Sequence, residues 1–275
     1  MHCYFTDHWA QLTTSEVLNS VPDTAREAPE QQFDYVVCCT KNVPDAKPRL
    51  CDVIARAVTP GRIAIVLIQN GINIELPFFE RFPANVILSG VSRFEAYEVS
   101  LGIVEQKQHG VLCIGTFEGV DTDEERQQVG EAMAKRFVEI YAVGSRTICF
   151  YRPNVNYCRW VTLLYDASFN PICATEGKTL AEVRNDTQIM EDFVFPSMGE
   201  VIHVALADGC FLPETLMQHT VDLYPKNQEV MPSMLLDVQK GNLIEYLNTL
   251  GAVMELGKLH SVATPVISIL HWKCR

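Results

Sequence analysis

Asn154-Val-Asn-Tyr-Cys-Arg-Trp-Val-Thr-Leu-Leu-Tyr-Asp-Ala-Ser-Phe-Asn-Pro-Ile-Cys-Ala174 is the stretch on which the reading of this chain turns. At helical spacing Trp160, Leu163, Leu164, Ala167 and Ile172 share one apolar face, which predicts a helix over 155–174. Arg159, Thr162, Asp166 and Asn170 form a second, polar stripe, because residues three or four apart are neighbours on a helix. Such a stripe either lines a cleft or faces solvent, and spacing alone does not choose between them.

Before this stretch the pattern is that of an α/β domain. Phe33–Lys41 is largely apolar and ends in polar residues, as a strand buried on both faces of a parallel sheet does. A short helix over Cys51–Ala57 is stopped by Pro60-Gly61, and a second buried strand, Arg62–Ile68, runs into Gln69-Asn70-Gly71. Strand, helix and strand at this spacing predict a βαβ unit. Asn85–Ser92 reads as a third strand, and Gly102–Lys107 with Gly110–Gly115 as a hairpin turning at His109-Gly110. Asp121–Tyr141 is an amphipathic helix and Gly144–Tyr151 a last short strand or connector. After residue 152 the pattern is helical throughout. Further helices are expected over Asp186–Ala207, kinked or split at Pro196, and over Met231–Val238 and Ile244–Leu259, with Gly209 and Gly241 as stops. The domains expected are therefore 1–151, α/β, and 152–275, all helical.

The net charge of −12 over 275 residues argues against nucleic acid or an anionic membrane as partner, since both need a cationic surface. The longest strictly apolar run, Ile63–Ile68, is too short to span a bilayer. No signal peptide is visible at the N-terminus. The ten cysteines lack zinc-site spacing and sit mostly in apolar settings. Reduced, buried thiols in a cytoplasmic protein without a metal centre are the expectation.

Trp160-x-x-Leu-Leu-Tyr-x-Ala-Ser-Phe-Asn-Pro-Ile-Cys-Ala174 resembles the helix that opens the C-terminal domain of ketopantoate reductases (2-dehydropantoate 2-reductases), especially the fungal-type members. Asp34–Lys41 is similar to the family's strand ending in a lysine near the cofactor, and Gln69-Asn70-Gly71 to its Gln-Asn-Gly signature. Pro232-Ser233-Met-Leu-Leu-Asp237 is similar to its Ser-Ser-Met-x-x-Asp motif, and Glu245 falls in register with its active-site glutamate. The resemblance implies a Rossmann-type domain for NADPH and a helical domain like the C-terminal domain of 6-phosphogluconate dehydrogenase, with the active site in the cleft between them. It implies Lys41 and Asn70 at the cofactor, Asp166, Asn170 and Ser233 at the substrate, and Thr162, Glu245 and Asn70 at the catalytic positions. The substrate implied is a 2-oxo acid or a related carbonyl, and a homodimer is compatible with the resemblance.

Two departures qualify what the resemblance implies. Thr162 stands at the family's catalytic lysine, and Asp166 at an asparagine. A threonine hydroxyl does not readily give up a proton near neutral pH, and Asp166 adds a negative charge that repels an anionic 2-oxo acid. Arg159, one turn earlier, could stabilise charge but does not deprotonate. No Gly-x-Gly-x-x-Gly occurs in these 275 residues. That fingerprint brings backbone N–H groups to a pyrophosphate, so the expectation is an incomplete Rossmann unit, N-terminally truncated with its glycine-loop βαβ missing, that binds NADPH poorly or not at all. The alternative reading is a catalytically silent homologue serving as a binding or scaffolding module.

Overall fold

The computed structural model describes residues 2–4, 18–23, 33–93, 96–100, 103–106, 109–117, 124–143, 147–224, 226–227 and 230–275. The chain divides into two compact units: Met1–Cys39, Leu50–Ile68 and Pro77–Val155 form the first, and Thr40–Arg49, Gln69–Leu76 and Asn156–Arg275 the second.

In the first unit the strands are β1 (His2–Tyr4), β2 (Tyr35–Cys38), β3 (Ala64–Ile68), β4 (Val86–Arg93), β5 (Ala96–Ser100), β6 (Ile103–Gln106), β7 (Gly110–Thr116) and β8 (Thr147–Tyr151). The helices are α1 (Leu50–Ile54), continued by a tight turn over Ala55–Ala57, α2 (Leu76–Arg81) and α3 (Glu124–Ala142). Five strands make a mixed sheet in the order β2-β3-β4-β7-β8, antiparallel only between β4 and β7. β3 is the buried centre of the βαβ unit: Ala64, Ile65, Val66 and Leu67 are fully buried. β2, expected to be covered on both faces, is instead the outermost strand of this sheet among the described residues, and Val37 is 44% exposed. An apolar run is the same whether one flank is paired or two, so sequence does not separate these cases. α3 packs Ala134 and Phe137 against Val66, Leu88, Leu112 and Ile114. Each buried Val, Leu, Ile or Phe side chain of this set contributes about 1.5–3 kcal/mol.

The hairpin expected between residues 102–107 and 110–115 does not form. β6 pairs antiparallel with β5 and parallel with β1, whereas β7 joins the larger sheet beside β4. Pairing partners are set by contacts far apart in the chain, which a local turn signal at His109-Gly110 does not report. Residues 107 and 108 lie outside the described set.

The second unit is helical, with α4 (Val155–Asp166), α5 (Phe169–Glu176), α6 (Leu180–Asn185), α7 (Thr187–Ile189), α8 (Phe195–Ala207), α9 (Thr215–Asp222), α10 (Ser233–Lys240), α11 (Ala252–Leu259) and α12 (Pro265–Cys274). Its core gathers Trp160, Leu163, Leu164, Ala167 and Ile172, the predicted apolar face, with Val201, Leu250 and Ile267. The single helix expected over 155–174 is two. In an unbroken helix Pro171 would lack the N–H for Ala167 and its ring would clash with that carbonyl. The chain breaks at Ala167–Ser168 instead, the Ser168 hydroxyl donates back to Leu164 O, and Pro171 falls in the first turn of α5, where its missing N–H is harmless. Pro196 is handled the same way. A π-helical turn over Met190–Val194 precedes α8 and leaves the proline in its first turn. Gly209 and Gly241 end their helices with φ of 86° and 69°, as their placement predicted.

Cys38, Cys39, Cys51, Cys149, Cys173, Cys210 and Cys274 are free thiols. Burial pushes Cys38 and Cys173 up to about 12. Cys39 is also raised by burial of its sulfur environment, yet its side chain is exposed. Alkylation needs both thiolate and access. Iodoacetamide at mildly alkaline pH should therefore modify Cys39 well before Cys38 or Cys173, as read by peptide mass spectrometry. Early labelling of Cys173 would mean that the helical core opens.

Candidate active site

The second unit takes in the two loops that follow β2 and β3, because side chains from the helices tie them down. Arg159 on α4 donates from Nη1 to Gln69 O (2.8 Å) and Gly71 O (3.0 Å), and its Nε sits 2.6 Å from Glu75 Oε1. Both side chains are buried, so this is an interior ion pair clamping the loop. Arg159 is thus engaged with Glu75 and is not the charge-stabilising group that its place on the polar stripe suggested.

The other loop is held from a π-helical turn over Leu247–Gly251, which runs into α11. Asn248 Nδ2 donates to Asn42 O (2.6 Å), and Asn248 O accepts from Ile72 N (3.2 Å). A π turn widens the helix and releases backbone groups for such outside bonds. Gly71 meets this turn at φ 106°, where a Cβ would stand 2.6 Å from Asn248 O. Only glycine fits there. Gln69 Nε2 then ties the two loops together through Thr40 O (2.6 Å).

One pocket results, lined by Lys41, Asn70, Asp166, Asn170, Ser233, Met234, Asp237, Glu245 and Thr249, all from the second unit. Its volume is about 10 Å³, the scale of a single water-sized group. Lys41 Nζ lies 2.7 Å from Asp237 Oδ2 and 3.4 Å from Glu245 Oε2, and Asn42 N donates to Glu245 Oε1 (2.7 Å). Burial works against the Lys41 ammonium, but the hydrogen bond to Asp237 and the charges of Glu245 and Asp237 outweigh it and hold its pKa above the ordinary lysine value. Burial pushes the Glu245 carboxyl up, opposed in part by Asn42 N–H and Lys41. Across the helix break, Asn170 Nδ2 donates to Asp166 Oδ1 (2.9 Å). Ser233 is the first residue of α10, and no side chain caps that helix.

Lys41, Asn70, Asp166, Asn170, Ser233 and Glu245, picked from separate stretches of sequence, thus share one pocket. Thr162 is not among its lining residues. It is half-buried, with Oγ1 buried and without a hydrogen-bond partner among the described residues. Asp237, Met234 and Thr249 were missed as site residues. Asp237 closes the Ser-Met-x-x-Asp motif and was within reach of sequence reading, but nothing local marks Thr249. No cluster of three or more His, Cys, Asp or Glu suited to a metal occurs among the described residues. No described helix is long and apolar enough to cross a membrane.

Comparisons with known proteins bear on the family and the fold. The chain is 28% identical over 275 residues to the Saccharomyces cerevisiae uncharacterized protein YDL144C, covering 93% of this chain and 75% of that protein. The crystal structure of 2-dehydropantoate 2-reductase from Methylococcus capsulatus superposes with a TM-score of 0.72 at 27% identity, covering 88% of this chain and 74% of that one. A D-mandelate dehydrogenase solved with NADH has a TM-score of 0.75 at 19% identity over 88% of this chain and 78% of its own, a likeness of fold. The family model for ketopantoate reductase PanE/ApbA matches residues 5–119 and that for its C-terminal part residues 154–273, so the chain belongs to the ketopantoate reductase PanE/ApbA family.

Proposed function

We propose that this chain is a nicotinamide-dependent oxidoreductase that reduces the carbonyl of a 2-oxo acid or a related compound. The observation that carries this reading is the meeting of Lys41, Asn70, Asp166, Asn170, Ser233 and Glu245 in one pocket. The lining carries charged and amide groups that a nicotinamide's carboxamide or a carbonyl oxygen would bond, in a space that itself holds only a water-sized group. Lys41 and Asn70 come from the loops at the carboxyl ends of β2 and β3, where open α/β sheets receive ligands. When bound, the reduced nicotinamide supplies hydride. The chain's own residues hold the carbonyl and provide the proton.

Reduction leaves negative charge on the carbonyl oxygen, and Thr162 neither lines the pocket nor readily donates a proton. The proton source is then Lys41, the cation among the lining residues, oriented by Asp237 and Glu245. Ser233 and the uncapped N–H groups that open α10 suit a carboxylate or the carbonyl oxygen itself. The position of Thr162 favours a second reading, a catalytically silent member of the family that keeps the pocket for binding. Titration with NADH and with NADPH, followed by fluorescence, and then cofactor oxidation with a panel of 2-oxo acids and ketones, separates the two. Turnover with one cofactor is expected. Bound cofactor without oxidation by any carbonyl of the panel would leave the silent reading.

A further inference from the structure

A lysine acts at one spot only if its backbone is fixed, because its flexible stem can carry the ammonium elsewhere. Both neighbours of Lys41 are tied down. On one side Thr40 O accepts from Gln69 Nε2 (2.6 Å). On the other, Asn42 is gripped at both ends of its backbone. Its N–H donates to Glu245 Oε1 (2.7 Å), and its carbonyl accepts from Asn248 Nδ2 (2.6 Å). Glu245 and Asn248 stand three residues apart where their helix begins, a spacing that puts both on one side of it.

Asn248 also reaches the loop that carries Asn70. Its carbonyl accepts from Ile72 N (3.2 Å), and a Cβ on Gly71 would stand only 2.7 Å from Asn248 Cβ. One residue therefore holds the Lys41 loop with its side chain and the Asn70 loop with its backbone. It sits in the π-helical turn over Leu247–Gly251, a distortion that recurs in helices at functional sites. Asn248 is 8% exposed and is not among the residues lining the pocket, whereas Lys41, Asn70, Glu245 and the adjacent Thr249 are.

We propose that Asn248 is a positioning residue, which acts through Lys41 by keeping its ammonium in register with Asn70 and touches no ligand itself. Its effect on turnover rests on the oxidoreductase reading above, whereas its hold on Lys41 does not.

Asn248→Ala in the full chain tests this. Asn42 is half-buried, so water can replace the lost donor, and the variant should fold, as circular dichroism checks. Its kcat should fall about a hundredfold with KM little changed, the usual result of a misplacement of about 1 Å at a reacting group. In the Lys41→Arg background the same substitution should have little further effect, because coupled residues are not additive. An equal loss in both backgrounds, or a lowered melting temperature with undiminished kcat, would show a merely structural role and sink the proposal. A second readout needs no activity. NMR of isotope-labelled lysine, with the Lys41 signal identified by its loss in Lys41→Arg, follows the titration that Asp237 and Glu245 hold above the ordinary lysine value. Asn248→Ala should let it move toward that value, and an unchanged titration would overturn the proposal. A moved titration in a chain that oxidises no cofactor supports the positioning and counts against the oxidoreductase reading. Amide exchange in the unaltered chain needs no variant. The N–H groups of Asn42 and Ile72 should both be protected, and free exchange of either would also overturn the proposal.

Discussion

Lys41→Arg should leave carbonyl binding little changed and lower turnover by roughly 10²–10⁴, the usual size of a general-acid contribution. Arginine keeps the positive charge that Asp237 and Glu245 surround at 2.7 and 3.4 Å, but a guanidinium does not release its proton. Lys41→Met, which removes the charge as well, should lose both binding and turnover, because it leaves two carboxyl groups in the pocket without their cation. A drop in kcat with KM preserved in the arginine variant is the signature of proton donation; equal effects on KM and kcat in both variants would make Lys41 a mere structural counter-charge. The pH profile gives an independent check. The net effect of Asp237 and Glu245 is to raise the lysine pKa, so the ammonium persists through the neutral range and turnover should hold until well above neutral pH. Glu245→Gln removes one of the two raising charges and should bring that alkaline limb down.

The largest effect on stability should come from Arg159→Met. Its guanidinium is 3% exposed and pairs with a Glu75 side chain that is 2% exposed, at 2.6 Å. Removing one partner leaves the other charge buried and uncompensated, at a cost of about 3–5 kcal/mol. Against a total stability of about 5–15 kcal/mol for a typical domain, that is a large share. Urea unfolding followed by circular dichroism measures it. Pairing Arg159→Met with Glu75→Leu should recover most of the loss, since two apolar side chains in place of a buried ion pair are often neutral. The carbonyls of Gln69 and Gly71 would still lack their donor, so recovery should be incomplete. A loss below about 1 kcal/mol in the single variant would place the pair in the class of solvent-screened ion pairs instead.

Asn170 shows how far the candidate site was legible. Its residue type, its place one turn beyond Asp166 and its membership of the polar stripe were all visible in the sequence, but which way its amide points was not. That direction follows from the hydrogen bond to Asp166. Lys41 is similar. Its place after a buried run put it at a sheet edge, whereas its two acidic partners lie about two hundred residues further along the chain. Arg159 reverses the lesson. A polar stripe beside an apolar face suggested a group available for chemistry, and the fold spends it on holding the loop that carries Asn70.

By itself the sequence determined what side-chain pattern controls locally. The uninterrupted apolar run of β3, the apolar face of α4 and α5, and the left-handed helix ends at Gly209 and Gly241 follow from periodicity and from glycine's freedom at positive φ. Tertiary structure alone decided the rest: β6 beside β5 and β1 rather than β7, β2 as the outer strand, and the π turn that lets Asn248 bind both loops. The physical reason is range. Helical spacing and turn geometry are set within a few residues, but a strand's partner, a buried charge's counter-ion and an amide's orientation are set by whichever group the fold brings within about 3 Å, however distant in the chain.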